Sequence, residues 1–277
     1  TDQITNANAR FKPAGSPVAA HRKADFTPRI QETENLTIYG NVGNVQIDVN
    51  GGSSAKDIAA SITSRLSETG VSATAHTRMN ISFEEEPNGT QTTDTVSFNV
   101  YGKNTAAVLI SANVDFGETN GRGADLTDLA AAINGTTGKT GIAASLSIDK
   151  TTMTMISNDG YDIATEDYRL VAVQGPAMLV SGANEDNTSV TGTNSANVIF
   201  DALKLEPGTD SSTHPNSAQV SGQVTFRSPF IFSVKSDNIG TSSAPDLMSP
   251  LAPYKSSTTA TPADAANFVV AAGTYVV

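Results

Sequence analysis

The chain has 277 residues, with no cysteine, no tryptophan, only three histidines and charged side chains at 16%, where globular proteins average about 25%. The missing thiols remove disulfides, cysteine nucleophiles, cysteine-ligated zinc and iron–sulfur clusters together. A protein of this length can fold without such staples because its core is large enough. Basic side chains are scarce: 17 against 28 acidic ones, a formal net charge of −11. That balance disfavours sequence-independent attraction to nucleic acid or an anionic membrane. No stretch approaches the ~18 apolar residues that span a bilayer; the longest, such as 268–272, are far shorter, so no membrane insertion is expected. The sequence shows neither an initiator Met nor a basic-then-apolar leader, so any targeting signal is removed, lies outside these residues or never existed. Neutral Ser, Thr, Asn, Gln and Ala must cover much of the surface.

Residues with chemical potential are present but not in chemical patterns. His21, His76 and His214 are far apart, and none sits in an H-x-x-x-H or H-E-x-x-H arrangement, so each reads as structural or solvated. Hydroxyls are abundant, yet there is no G-x-S-x-G elbow and no S-x-x-K. Glu84-Glu85-Glu86 precedes Pro87-Asn88-Gly89. A carboxylate-pair hydrolase would need two facing acids over a cleft lined with aromatics, so this run reads as a solvated strand end and turn. Asn158-Asp159-Gly160-Tyr161-Asp162 could place oxygens around calcium, but it lacks the alternating acids and distal Glu of an EF-hand, and a hairpin turn is the better reading. Residues 117–125 (GETNGRGAD) have glycines without a phosphate-loop pattern. Asn35, Asn80, Asn88, Asn134 and Asn187 open N-x-S/T sequons, several of which arise by chance in so Asn- and Thr-rich a chain. No catalytic, cofactor-binding or metal-ligating residue is assigned, no cofactor is expected, and the chain does not read as an enzyme.

What is present is a repeat. Residues 1–34 contain Pro13, Pro17 and Pro28 and no sustained periodicity, and they read as an extended N-terminal arm. From Leu36 the pattern alternates: LTIYG, then VQIDV at 45–49, turned at Asn50-Gly51-Gly52. Within 53–70, Ala55, Ile58, Ala59, Ile62 and Leu66 fall at helical spacing. Ser53 or Ser54 is available as N-cap and Gly70 as stop. VSATAHT (71–77) and MNISF (79–83) return to strand character. The order then recurs. VSFNVYG (96–102) and AVLISANV (107–114) are strands, 123–135 is a helix with Leu126, Leu129, Ala130 and Ile133 on one face, and 141–149 and 152–157 are strands. Ile58 to Leu129, Ile62 to Ile133 and Gly70 to Gly141 are each 71 residues apart, and Tyr39-Gly40 matches Tyr101-Gly102 at 62. A shared face, stop and strand at one offset indicate internal duplication.

The expected class is α+β, mostly β: two tandem ββαββ-type repeats, each a short helix on a small antiparallel sheet, followed by a β-rich C-terminal region. The divisions are 1–34, 35–95, 96–175 and 176–277. After 175 the chain reads as short strands between turns, among them MLVSG, NVIFDALKLE, AQVSGQVTFR, PFIFSVK and FVVAAGTYVV. The residues do not distinguish a separate domain from strands that close the sheets of the first two copies.

The second copy resembles the insertion motif of bacterial flagellin outer domains and some hook-associated proteins. The resemblance rests on D-L-x-x-L-A-x-x-I-N at 125–134, T-G-I-x-A at 140–144 and S-x-D-G-Y-D-I at 157–163, and it is carried more loosely by DIAASI at 57–62 and TGVSA at 69–73. It implies a non-enzymatic building block of an extracellular filament, exposed on the cell surface and contacting other copies of itself or related appendage subunits. Flagellins polymerise through long amphipathic end helices, and neither end of this sequence shows that pattern. The resemblance therefore implies either the outer portion of a larger flagellin or another assembly protein with the same module. Two other classes stay open: a phage virion structural protein (tail, fibre or decoration), and a surface adhesin or glycan-binding module. An adhesin would need Tyr161 and Tyr168, or Phe226, Phe230 and Phe232, to line a groove; the three Phe are more simply the core side of a buried strand.

Overall fold

The computed structural model describes residues 2–5, 34–84, 93–116, 123–171, 175–183, 192–193, 199–200, 203–208, 216–236, 268–269 and 274–276. The short strand β1 (Asp2–Thr5) precedes a first unit of β2 (Glu34–Tyr39), β3 (Asn44–Val49), α1 (Ala55–Thr63), α2 (Leu66–Thr69) and β4 (Ser72–Phe83). A second unit follows: β5 (Thr93–Tyr101), β6 (Val108–Asp115), α3 (Thr127–Asn134), α4 (Thr137–Thr140), β7 (Ala143–Leu146), β8 (Met153–Ser157) and β9 (Ile163–Leu170). Then come β10 (Met178–Gly182), the small β11 (Gly192–Thr193) and β12 (Ile199–Phe200) pair, β13 (Leu203–Leu205), β14 (Ala218–Val220), β15 (Gln223–Ser228), β16 (Ser233–Ser236), β17 (Phe268–Val269) and β18 (Thr274–Val276). Short helices on antiparallel sheets make an α+β, mostly β fold, as the sequence pattern predicts.

The duplication holds in three dimensions. Each predicted helix is broken after two turns, at the same place: adding the 71-residue offset to α1 and α2 carries them onto α3 and α4. Both pairs end on a left-handed glycine, Gly70 at φ 73° and Gly141 at φ 70°, a conformation that costs any residue with a Cβ. The residue before each glycine is a buried threonine. Thr69 Oγ1 donates to the Arg65 carbonyl at 3.1 Å and accepts from the Val71 N–H at 3.1 Å. Thr140 repeats both bonds with Thr136 and Ile142, each at 3.2 Å. A Cβ at Gly40 would strike the Thr69 carbonyl, and one at Gly102 would strike that of Thr140. The Tyr-Gly match at the other offset therefore marks where a hairpin tip presses on the end of each helix.

Helix starts differ. Ser54 caps α1 in a reciprocal box with Asp57. At α3 the capping group is Asp125, which accepts from the Thr127 N–H at 2.9 Å. Where each first helix ends, the following strand is clamped by different chemistry at one position. Thr63 Oγ1 bonds both the N–H and the carbonyl of Ala73 at 2.9 Å. Its counterpart Asn134 does the same for Ala144, accepting at 2.8 Å and donating at 3.0 Å.

The strand reading needs one correction. The segments read as 71–77 and 79–83 belong to a single twelve-residue strand, β4 (Ser72–Phe83), whose inward positions serve two cores in turn. Ala73 packs with Leu36, Ile38, Ile58, Ile62, Val224, Phe226, Phe232 and Val234 around α1. Met79, Ile81 and Phe83 pack with Phe98, Ile110, Leu129, Ile133, Met155, Met178 and Tyr168 around α3. A run of alternating residues that long cannot turn back on itself, so the first unit must find its next strand elsewhere. It comes from the C-terminal region: β15 pairs with 72–76 of β4, setting Phe226 opposite Ala73 and Val224 opposite Ala75. In the second unit β8 holds that place, with Met155 opposite Ala144 and Met153 opposite Leu146. β16 likewise pairs with β2 as β9 pairs with β5. The second unit is thus continuous in sequence from β5 to β9, and the first is closed around it by β15 and β16.

Candidate functional site

The units are stacked end to end along β4. We call the end of each unit with the hairpin turn and left-handed glycine its tip, and the end with the helix start its base. Residues 77–81 of β4 pair with β8, Thr77 opposite Ser157, so the strand leaves the base of the first unit where the tip of the second begins.

The joint between them is built by the turn after β8, which is the N-D-G-Y-D segment. Gly160 has φ 77° and lies so close to Ala75 that a Cβ would collide. Its carbonyl accepts from the Lys56 N–H at 3.2 Å, in the first turn of α1. Lys56 Nζ donates to the Tyr161 hydroxyl at 2.5 Å and sits 4.2 Å from the centre of that ring, so the bond holds the ammonium above its ordinary pKa. Asp162 accepts from Gln219 Nε2 at 2.7 Å and from the Gly222 N–H at 3.3 Å. The predicted turn is a turn: its Gly160 carbonyl and Tyr161 hydroxyl bind the second unit to α1 of the first, and Asp162 holds the link between β14 and β15.

The remaining singled-out residues are placed as follows. His76 lies on β4 opposite Gln223; His21 and His214 fall outside the described residues. Among the described residues no three His, Asp or Glu side chains gather as a metal-sized group. Glu84 pairs with Lys204 at 2.9 Å, raising the lysine's pKa; Glu85, Glu86 and residues 117–122 lie outside the description. Tyr168 is fully buried, donates to the Pro176 carbonyl at 2.7 Å, and burial pushes its phenol far above the ordinary range. Phe226 and Phe232 stack inside the first core with centroids 6.5 Å apart. Tyr168, Phe226 and Phe232 therefore line no groove, whereas Phe230 is exposed in the turn before β16, so the core-side reading of the three Phe holds for two of them only. Of the sequons, Asn80 is buried and accepts from Thr154 Oγ1 at 2.7 Å. Asn134 is the clamp described above, and Asn88 and Asn187 lie outside the description. No helix among the described residues is long and apolar enough to cross a membrane.

What the sequence reading missed is the distribution of exposed apolar side chains. Among the described residues eight large ones are exposed: Tyr39, Val42, Leu66, Leu109, Ile148, Val171, Phe230 and Ile231. Five belong to the tip of the first unit. Tyr39 and Val42 flank its hairpin turn, which packs against α2 through Gly40 and Gly43; Leu66 opens α2; and β16 begins opposite Tyr39, so Phe230 and Ile231 lie beside that turn. Ile148 and Val171 belong to the base of the second unit, in the turn after β7 and just past the end of β9. Leu109 on β6 is the remaining one.

Residues 35–82, from β2 through nearly all of β4, match the family model described as the flagellin hook IN motif. The match falls on the first unit, the one in which the sequence carries the motif more loosely, and its geometry recurs in the second. No curated protein matches the chain.

Proposed function

We propose, from the flagellin hook IN motif carried by residues 35–82, that this chain is a structural, non-enzymatic portion of an extracellular flagellin-type filament, exposed on its surface and assembled beside other copies or related appendage subunits. The observation that carries the reading is this motif folded twice on one stacked scaffold. Apolar faces such as Ile58 and Ile62, or Leu129 and Ile133, are consumed within each unit at about 1.5–3 kcal/mol per large side chain buried. Their role is folding, which leaves turns and ends for contact with neighbours. The N-D-G-Y-D segment supports the same reading, because its Tyr161 hydroxyl is spent on the joint between units and its Asp162 carboxylate on the link between β14 and β15.

The test is immunogold electron microscopy of the source cells with antibody raised against the folded chain. Label is expected along extracellular filaments. Label on virus particles, or on no filament at all, overturns the proposal.

A further inference from the structure

We infer that the apolar tip of the first unit docks on the base of the second unit in another copy of this chain, repeating between molecules the tip-to-base joint that the chain already makes within itself. The template is internal. In the joint, the turn after β8 of the second unit presses on the helix start and following strand of the first, at Lys56 and Ala75. The same turn in the first unit joins β15 to β16 and carries Phe230 and Ile231, 55% and 64% exposed. The same base in the second unit is the start of α3 and the turn after β7, where Ile148 stands fully exposed. Ile148 occupies the place that the buried Thr77 holds in the joint, one offset away. Among the described residues, a stack of two units thus ends in a tip and a base that carry exposed apolar side chains.

The residues at the two kinds of tip differ as this requires. At the internal joint the tip offers Tyr161 and Asp162 to polar partners, while Val42 and Leu66 of the free tip become Asn104 and Thr137 in the second unit. Scattered apolar residues on a surface need no explanation. Seven of the eight among the described residues at the two ends of one axis do, since grouped exposed apolar area marks an interaction site. Different surfaces meeting head to tail give an open string of copies rather than a closed pair.

The absence of cysteine makes the test direct. In the full chain, Ile231→Cys and Ile148→Cys are made singly and together, then oxidised at concentrations where the protein associates. The double variant is expected to give a ladder of linked multimers, a mixture of the two single variants a linked dimer, and either single variant alone none. Linked dimers of Ile231→Cys alone, or no ladder, overturn the inference. As a second measurement, Phe230→Asp with Ile231→Asp, at exposed positions and first checked for an unchanged circular dichroism spectrum, is expected to weaken self-association in sedimentation at least about tenfold, with Leu109→Asp unchanged. Equal effects from the two overturn it. The inference rests on the assembly reading only for its setting. Filaments that form normally with the tip variant sink the end-to-end contact alone, and a ladder without filament label sinks the filament reading alone.

Discussion

The two units share a helix break, a left-handed stop glycine, a buried threonine latch and a hairpin tip pressed on the helix end, yet they are closed by strands of different origin. The second unit takes β8 and β9 from the residues that directly follow β7. The first takes β15 and β16 from the far side of the whole second unit. The difference shows that what was duplicated is a geometric requirement: a strand with two apolar residues facing Ala73 and Ala75, or Ala144 and Leu146. Phe226 with Val224 and Met155 with Met153 meet it equally, being almost wholly buried.

The comparison can be broken most forcefully in the cores. Ile62→Ala and Ile133→Ala, at equivalent sites with no exposure, are each expected to cost about 3–4 kcal/mol in urea denaturation. Because β4 runs through both cores, either change is expected to reduce hydrogen-exchange protection along all of 72–83. Loss confined to one half would show that the units are energetically separate. Next, Gly40→Ala and Gly102→Ala each drive a Cβ into a helix-end carbonyl and are expected to cost about 2–3 kcal/mol. Values differing by more than about 1 kcal/mol would mean the two tips are not equivalent.

Smaller effects sharpen the comparison. Thr63→Val and Asn134→Leu both remove the clamp on the next strand. About 1 kcal/mol is expected for the first and less for the second, whose bonds are exposed; thermal melting checks it. The smallest effect separates the free base from the joint by pH. Asp125 is lowered in pKa by the hydroxyl and N–H of Thr127, and Asp149 by the Ser147 hydroxyl and the Thr151 N–H. Their contributions are complete above the ordinary carboxylate range and disappear as pH falls through the lowered folded-state values. Lys56 is raised by the Tyr161 hydroxyl, so its contribution is complete below the ordinary lysine value and disappears as pH rises through the raised one. Hydrogen exchange should therefore loosen the 147–152 turn first in acid and the 158–162 turn first in alkali, and Tyr161→Phe should abolish the alkaline effect alone.

Much of each unit is legible in the residues. Ile58, Ile62, Leu129 and Ile133 announce buried helix faces by spacing alone, and Gly70 and Gly141 announce the stops. The break within each helix is not legible, because Ser64-Arg65 and Gly135-Thr136 differ in residue type and share only a position. That β4 passes from one core to the other is not legible either, because its inward positions keep the same alternation throughout, with Thr77 at the crossing. The N-D-G-Y-D segment is readable as a turn. Its partners Lys56, Gln219 and Gly222 lie too far along the chain for any spacing rule to name.

By itself the sequence determined that one unit is used twice, that it is a helix over antiparallel strands, and that thiol chemistry is absent, since caps, helical periodicity and missing residue types act within a few residues or everywhere at once. Only the tertiary structure decided which strands close the first unit, that the units stack tip to base, and which apolar side chains are left at the ends. Backbone hydrogen bonds between strands are alike for every alternating segment, so the choice of partner is made by the shape of the cores the strands must cover.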